Sequence, residues 1–183
     1  MEKKFIFAGF GGQGIMMMGQ LLSQAAVRQG LEVTYTQSYG SEMRGGTARC
    51  SVVISDEKIG SPIVDRADAY VVMNLSSFNL LVPAVRPKAI LIINSSLINK
   101  TVERKGIRAI EIPATELANQ MGNSRGANLV ALGAFIEATH IVKPRSIIQA
   151  LKQVLPPHRL DTLPLNTKSF DAGRSWVLKA AKK

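Results

Sequence analysis

Three observations in this 183-residue sequence predict an α/β fold, three layers α/β/α around a mostly parallel, mixed sheet. Short apolar runs alternate with helix-period segments through the first two thirds of the chain. A glycine-rich turn, Gly9-Phe10-Gly11-Gly12-Gln13-Gly14, joins the first run to the first helical segment, which is a Rossmann-like beginning. Beyond Ala114 the pattern is helical only. With 46% hydrophobic residues the chain can bury one substantial core, and its length predicts a single domain over residues 1–183.

Phe5 to Ala8 reads as a buried strand, and Ile15 to Arg28 as a helix, because Ile15, Met18, Leu22 and Ala25 recur at helical spacing. Gly30 suits a left-handed helix cap, and Leu31 to Thr36 has the β-branched and aromatic content of a second strand. Together these outline a βαβ unit, which predicts that the two strands pair in parallel. Thr47 to Ser55 alternates with a period of two, a third strand with antiparallel character, turning at Asp56-Glu57-Lys58. Ala69 to Met73, Ala89 to Ile93 and Ile107 to Ile112 are further strands, with a short helix around Ser76 to Leu81 and Pro113 as a stop. Ala114–Gln120, Ala127–Ala138, Pro144–Val154 and Leu165–Lys179 complete the helices, Pro144 fitting a first helical turn.

Composition narrows the chemistry. The single cysteine, Cys50, precludes an intramolecular disulfide, a cysteine zinc site or an iron–sulfur cluster built by this chain alone. Cys50 alternates with strand neighbours and has no nearby histidine in sequence, so a buried thiol is expected rather than a nucleophile. His140 and His158 lack metal-ligand spacing and sit near helix ends, and Asp65 and Asp68 are expected to flank a turn. No run approaches the roughly 20 apolar residues of a membrane span. The start leads into a strand rather than a signal-peptide core, so a cytoplasmic protein without a membrane partner is expected. The formal charge of +10 attracts anionic partners, but no nucleic-acid module or stacking motif accompanies it, and the basic Lys179–Lys183 end reads as a solvated tail.

The glycine turn satisfies G-x-G-x-x-G between strand and helix, a context in which backbone N–H groups face an anion. A dinucleotide site also needs an acid at the carboxyl end of the second strand. That end is Thr36-Gln37-Ser38, and Glu32 stands at the opposite end. No Gly-Lys-Ser or Gly-Lys-Thr follows the glycines, so a P-loop is excluded as well. A second polar loop, Ser38-Tyr39-Gly40-Ser41-Glu42-Met43-Arg44-Gly45-Gly46, leaves the same sheet edge and should lie beside the first.

The two loops, with "GSP" at Gly60 and "NLVALGA" from Asn128, resemble the gamma subunit of the 2-oxoacid:ferredoxin oxidoreductases over nearly the whole chain. The form of the second loop is similar to the 2-oxoglutarate or branched-chain types rather than the pyruvate type, with Ser41 where the family commonly has proline. The resemblance implies an accessory chain of a heterotetramer with alpha, beta and delta subunits, working with ferredoxin and without a redox centre or catalytic residue of its own. Thiamine diphosphate, Mg and iron–sulfur clusters would be held by the partner subunits, in an enzyme that decarboxylates a 2-oxoacid and forms an acyl thioester of coenzyme A. The expected subunit-facing or cofactor-facing edge is Gly9, Gly11, Gly12, Gln13 and Gly14 with Ser38, Tyr39, Glu42, Met43, Arg44, Gly45 and Gly46. Coenzyme A is its candidate phosphate ligand, with Arg44 placed to meet a phosphate or a partner carboxylate. Rival readings are a free-standing nucleotide-binding enzyme and a basic nucleic-acid binder, the latter disfavoured for want of a motif.

Overall fold

The computed structural model describes residues 1–40 and 46–181. Its sheet has six strands: β1 (Glu2–Phe10), β2 (Glu32–Tyr39), β3 (Thr47–Ser55), β4 (Ala69–Val72), β5 (Ile90–Asn94) and β6 (Arg108–Ile112), in spatial order β2-β3-β1-β4-β5-β6. The helices are α1 (Ile15–Val27), α2 (Leu75–Leu81), α3 (Ala114–Gln120), α4 (Ala127–Thr139), α5 (Pro144–Val154) and α6 (Leu163–Ala180), with 3-10 turns at Val82–Ala84 and Pro157–Thr162. The α/β class, the mixed sheet and the order of elements agree with the sequence pattern.

The expected parallel pairing of the first two strands is corrected by the structure. β3 lies between β1 and β2 and runs antiparallel to both, with Phe7 opposite Cys50 and Cys50 opposite Gln37. β1 and β2 therefore point the same way but never touch. The cause is a local hairpin: β2 and β3 are joined by a short connection, and the largely buried β3 takes the inner place while the more polar, more exposed β2 takes the edge. On the other side β4, β5 and β6 extend the sheet in parallel from β1.

The two covering layers are unequal. α1, α3, α4, α5 and α6 contribute to one apolar cluster over Phe5, Phe7, Cys50, Val52 and Val71. The opposite face, centred on Ile6, Val53, Tyr70 and Leu91, is covered by α2 and by extended connections carrying Val64, Ala67 and Ile98. β3 already finishes at the edge where β4 starts, so its connection to β4 can cross that face without a helix.

α4 is buried from Asn128 to Ile136, as an apolar all-round helix must be. Phe135 meets Phe5 and Phe7 edge-on, with ring centroids 5.2 and 5.1 Å apart. On its other side α4 touches the α6 backbone. A Cβ at Gly133 would overlap the carbonyl oxygen of Phe170, and one at Gly173 would overlap that of Val130. Gly133→Ala should therefore cost about 3 kcal/mol or more of stability, read as a lowered urea midpoint. A change under about 0.5 kcal/mol would contradict this packing.

Candidate functional site

The glycine loop sits where the strand connections diverge. From β1 the chain turns through α1 toward β2 and β3, whereas from β4 it turns through α2 toward β5, so the switch point lies between the carboxyl ends of β1 and β4. Gln13 spans this crevice. Its Oε1 accepts from the Phe10 backbone N–H at 2.7 Å, its own N–H donates to the Phe10 carbonyl at 3.1 Å, and its Nε2 donates to the Met73 carbonyl at 3.4 Å. Both ends of the amide thus hold the loop closed. A Cβ at Gly9 would lie 2.6 Å from Gln13 Oε1 and 2.7 Å from Ile15 Cδ1, so this position has no room for a side chain.

Gly12 and Gly14 have φ of 96° and 74°, and Gly14 caps α1 in the left-handed region with no side-chain hydrogen bond. The first N–H groups of α1 are thereby left to an outside acceptor. The second loop adjoins the first. Gly11 N–H donates to the Gly46 carbonyl at 3.1 Å, Tyr39 is paired with Ala48, and Ala48 with Gly9. Gly40 N–H donates to the Thr47 carbonyl at 2.8 Å, closing the base of the hairpin. Glu42, Met43, Arg44 and Gly45, expected at this edge, lie outside the described residues, as does Ser41. Phe10 and Tyr39 stand out here as exposed aromatic side chains, at 37% and 54% of their full accessibility.

Several contributors were not singled out by sequence pattern. Asn128, from "NLVALGA", donates Nδ2 to the Gly14 carbonyl at 3.4 Å and ties the start of α4 to the glycine loop. The signal was present in that motif, but only the fold brings the two together. A cavity of about 620 Å³ opens beside them, with Gly12, Gly14, Asn128, Arg125, Arg159 and Asn166 in its walls. A second of about 270 Å³ shares Gly12, Arg125 and Asn128 and reaches Gln13, Met73 and Thr115. Neither Arg125 nor Arg159 is paired with an acid among the described residues. α4, like α1, begins without a side-chain cap. Asn74, at the end of β4, caps α2 by accepting from Ser77 N–H at 2.8 Å and leaves its Nδ2 buried without a partner.

This arrangement can bind an anion and can present a surface, but it is not a dinucleotide site. β2, which would carry the ribose-reading acid, ends in Gln37, Ser38 and Tyr39 and lies two strand spacings, roughly 10 Å, from β1. Glu32 is opposite Ser55 at the far end of the strand. No group of three or more His, Cys, Asp or Glu placed to hold a metal occurs among the described residues. His140 is the left-handed C-cap of α4, and His158 lies in the 3-10 turn before α6. Asp68 is used structurally, accepting from Lys4 N–H at 2.8 Å and pairing with Arg86.

Comparison with known proteins agrees with this geometry. Residues 4–176 match the pyruvate ferredoxin/flavodoxin oxidoreductase family, and the chain belongs to it. The 2-oxoglutarate synthase subunit KorC of Methanothermobacter marburgensis is 36% identical over the full length of both chains. The ketoisovalerate oxidoreductase subunit VorA of the same organism is 33% identical over 97% of this chain but only 37% of its own length. Among solved structures, the gamma subunit of a keto/oxoacid ferredoxin oxidoreductase from Geobacter sulfurreducens superposes with a TM-score of 0.81 at 26% identity, over 97% of this chain and 99% of its own. The 2-oxoglutarate:ferredoxin oxidoreductase of Magnetococcus marinus, solved with 2-oxoglutarate, coenzyme A and succinyl-CoA, gives 0.89 at 26% identity. There the match covers 97% of this chain and 31% of the longer one. The resemblance carried by the loop motifs is thus borne out.

Cys50 is 1% exposed, donates Sγ–H to the Ile15 carbonyl at 3.4 Å, and lies against Gly19, where a Cβ would be 2.6 Å from Sγ and 2.7 Å from the Tyr35 ring. Burial pushes its thiol up to about 12, and burial together with Cys50 pushes Tyr35 up to about 12. An unfolded thiol releases its proton near pH 8.5, whereas the folded one keeps it, so the contribution is complete below about pH 8.5 and is lost as pH climbs toward 12. The urea midpoint should fall across this window, with the Cys50 part no steeper than about 1.4 kcal/mol per pH unit. Cys50→Ala should flatten the decline most clearly between about pH 8.5 and pH 9.5, where an unfolded tyrosine, with its pKa near 10, is still mostly protonated. An unchanged slope would show that the thiol does not govern it.

Proposed function

We propose that this chain is the gamma subunit of a 2-oxoglutarate:ferredoxin oxidoreductase, an accessory subunit that carries no redox centre and acts within the assembled enzyme. The observation that carries this reading is the end-to-end match with a 2-oxoglutarate synthase subunit, together with an edge built for contact rather than catalysis. Among the described residues that edge offers loop backbone, exposed Phe10 and Tyr39, and cations, but no nucleophile-and-base pair. The proposed subunit-facing residues are Gly9, Gly11, Gly12, Gln13, Gly14, Ser38, Tyr39 and Gly46, with Glu42, Met43, Arg44 and Gly45 of the intervening loop. Gln13 serves there by holding the loop closed.

Thiamine diphosphate, Mg and iron–sulfur clusters belong, on this reading, to alpha, beta and delta partners, and ferredoxin reaches the enzyme through them in the cytoplasm. A lone, deeply buried cysteine cannot ligate a cluster. Coenzyme A fits this chain better. Its phosphates match the uncapped start of α1 and the Arg125 and Arg159 side chains in the adjoining cavity, and coenzyme A supplies the thiol that accepts the acyl group.

Purified from its own cell through a tag on this chain, the protein should arrive with a thiamine-dependent partner. A lone monomer would overturn the subunit assignment. In the assembled enzyme, Arg125→Ala combined with Arg159→Ala should raise the KM for coenzyme A about tenfold or more and leave that for the 2-oxoacid unchanged. An unaltered KM for coenzyme A would remove the ligand assignment and leave the subunit assignment standing.

A further inference from the structure

The geometry points to a second anion site, for a phosphate or diphosphate group, in the cavity between the end of α1 and the start of α5. The cavity measures about 540 Å³, and its walls are Arg28, Gln29, Lys143, Arg145, Ser146 and Gln149. Three of these six are cationic, none is acidic, and the other three bear hydrogen-bonding side chains. None of the three cations has an ion-pair partner among the described residues. Gathering three like charges in one concavity is unfavourable until an anion enters it.

The site is braced. Gln29 donates Nε2 to Ser146 Oγ and to the Ala25 carbonyl, each at 3.3 Å, and its Oε1 accepts from Lys143 N–H at 3.4 Å. One side chain thereby joins the end of α1 to the first turn of α5. Helix polarity favours an anion at the start of α5, and the opposing end of α1 is muted by backbone hydrogen bonds. α5 begins without a side-chain cap beside this cavity, so its positive end is near an incoming anion, although Pro144 has no N–H and Ser146 N–H already donates to the Lys143 carbonyl at 2.9 Å. The negative end of α1 is already covered, because Gln29 and Leu31 N–H donate to the Ala26 carbonyl at 2.9 and 3.2 Å, and Gly30 N–H to that of Val27 at 2.9 Å.

The lining also sets the ligand class. It contains no aromatic or large apolar side chain on which a base or sugar could stack, so recognition ends at the phosphoryl oxygens. The cavity is separate from the glycine loop, since α1, 13 residues and about 20 Å long, has one site at each end. This inference does not depend on the gamma-subunit reading.

The test uses the full chain, isotopically labelled, titrated in low salt with sodium pyrophosphate, ADP and adenosine while backbone amide shifts are followed. Saturable shifts at Gln29, Arg145 and Ser146 are expected with pyrophosphate, at a Kd of about 1 mM or tighter, weakening as salt rises. ADP should match pyrophosphate within about threefold, and adenosine should move nothing there. Arg28→Gln with Arg145→Gln, both at exposed positions, should weaken pyrophosphate at least about tenfold at this site without changing the unfolding midpoint. Shifts confined to Gly11–Gly14 and Arg125, unchanged affinity in the double variant, or binding of adenosine would each overturn the proposal.

Discussion

Helix α4 has no solvent face, and most of the molecule is arranged to enclose it. A helix that is apolar all round gains nothing from water on any side, so the sheet must cover one flank and other helices the rest. Phe5 and Phe7 meet it through Phe135 from the sheet, while α6 lies so close on the other flank that glycines at 133 and 173 face backbone rather than side chains. Asn128 joins the first turn of the same helix to the glycine loop. Core packing and the anchoring of the glycine loop therefore draw on one element.

A second constraint is the place of β3. By entering the sheet between β1 and β2 it brings the Gly46 end of the hairpin against Gly11, and it also carries the end of β2 away from the position that a dinucleotide ribose requires. The same insertion explains both findings. The start of α1 has no side-chain cap, yet the strand end that a dinucleotide ribose needs is out of reach. Gln13, filling the crevice between β1 and β4, makes that rim a fixed surface.

The basic character of the chain acquires form in the same way. Arg125 and Arg159 meet beside the glycine loop, and Arg28, Lys143 and Arg145 meet at the other end of α1, although each set comes from distant parts of the sequence. Surface charge attracts anions generally, and concavity gathers it at particular places.

Periodicity and punctuation were enough to locate the elements. Thr47–Ser55, Ala114–Gln120 and Pro144–Val154 were legible to the residue, because alternation, a stop at Pro113 and a proline in a first turn are local effects. The burial of Cys50 and the absence of an acid at the end of β2 were legible for the same reason, as was the family, through its loop motifs. What only the tertiary structure decided was adjacency. A βαβ pattern does not state which strand will enter between its two members, since hairpin pairing and parallel pairing compete in space and not along the chain. Nor could spacing bring Asn128 to Gly14, or Arg28 to Arg145, because long-range packing of rigid elements sets those contacts and leaves no period in the sequence.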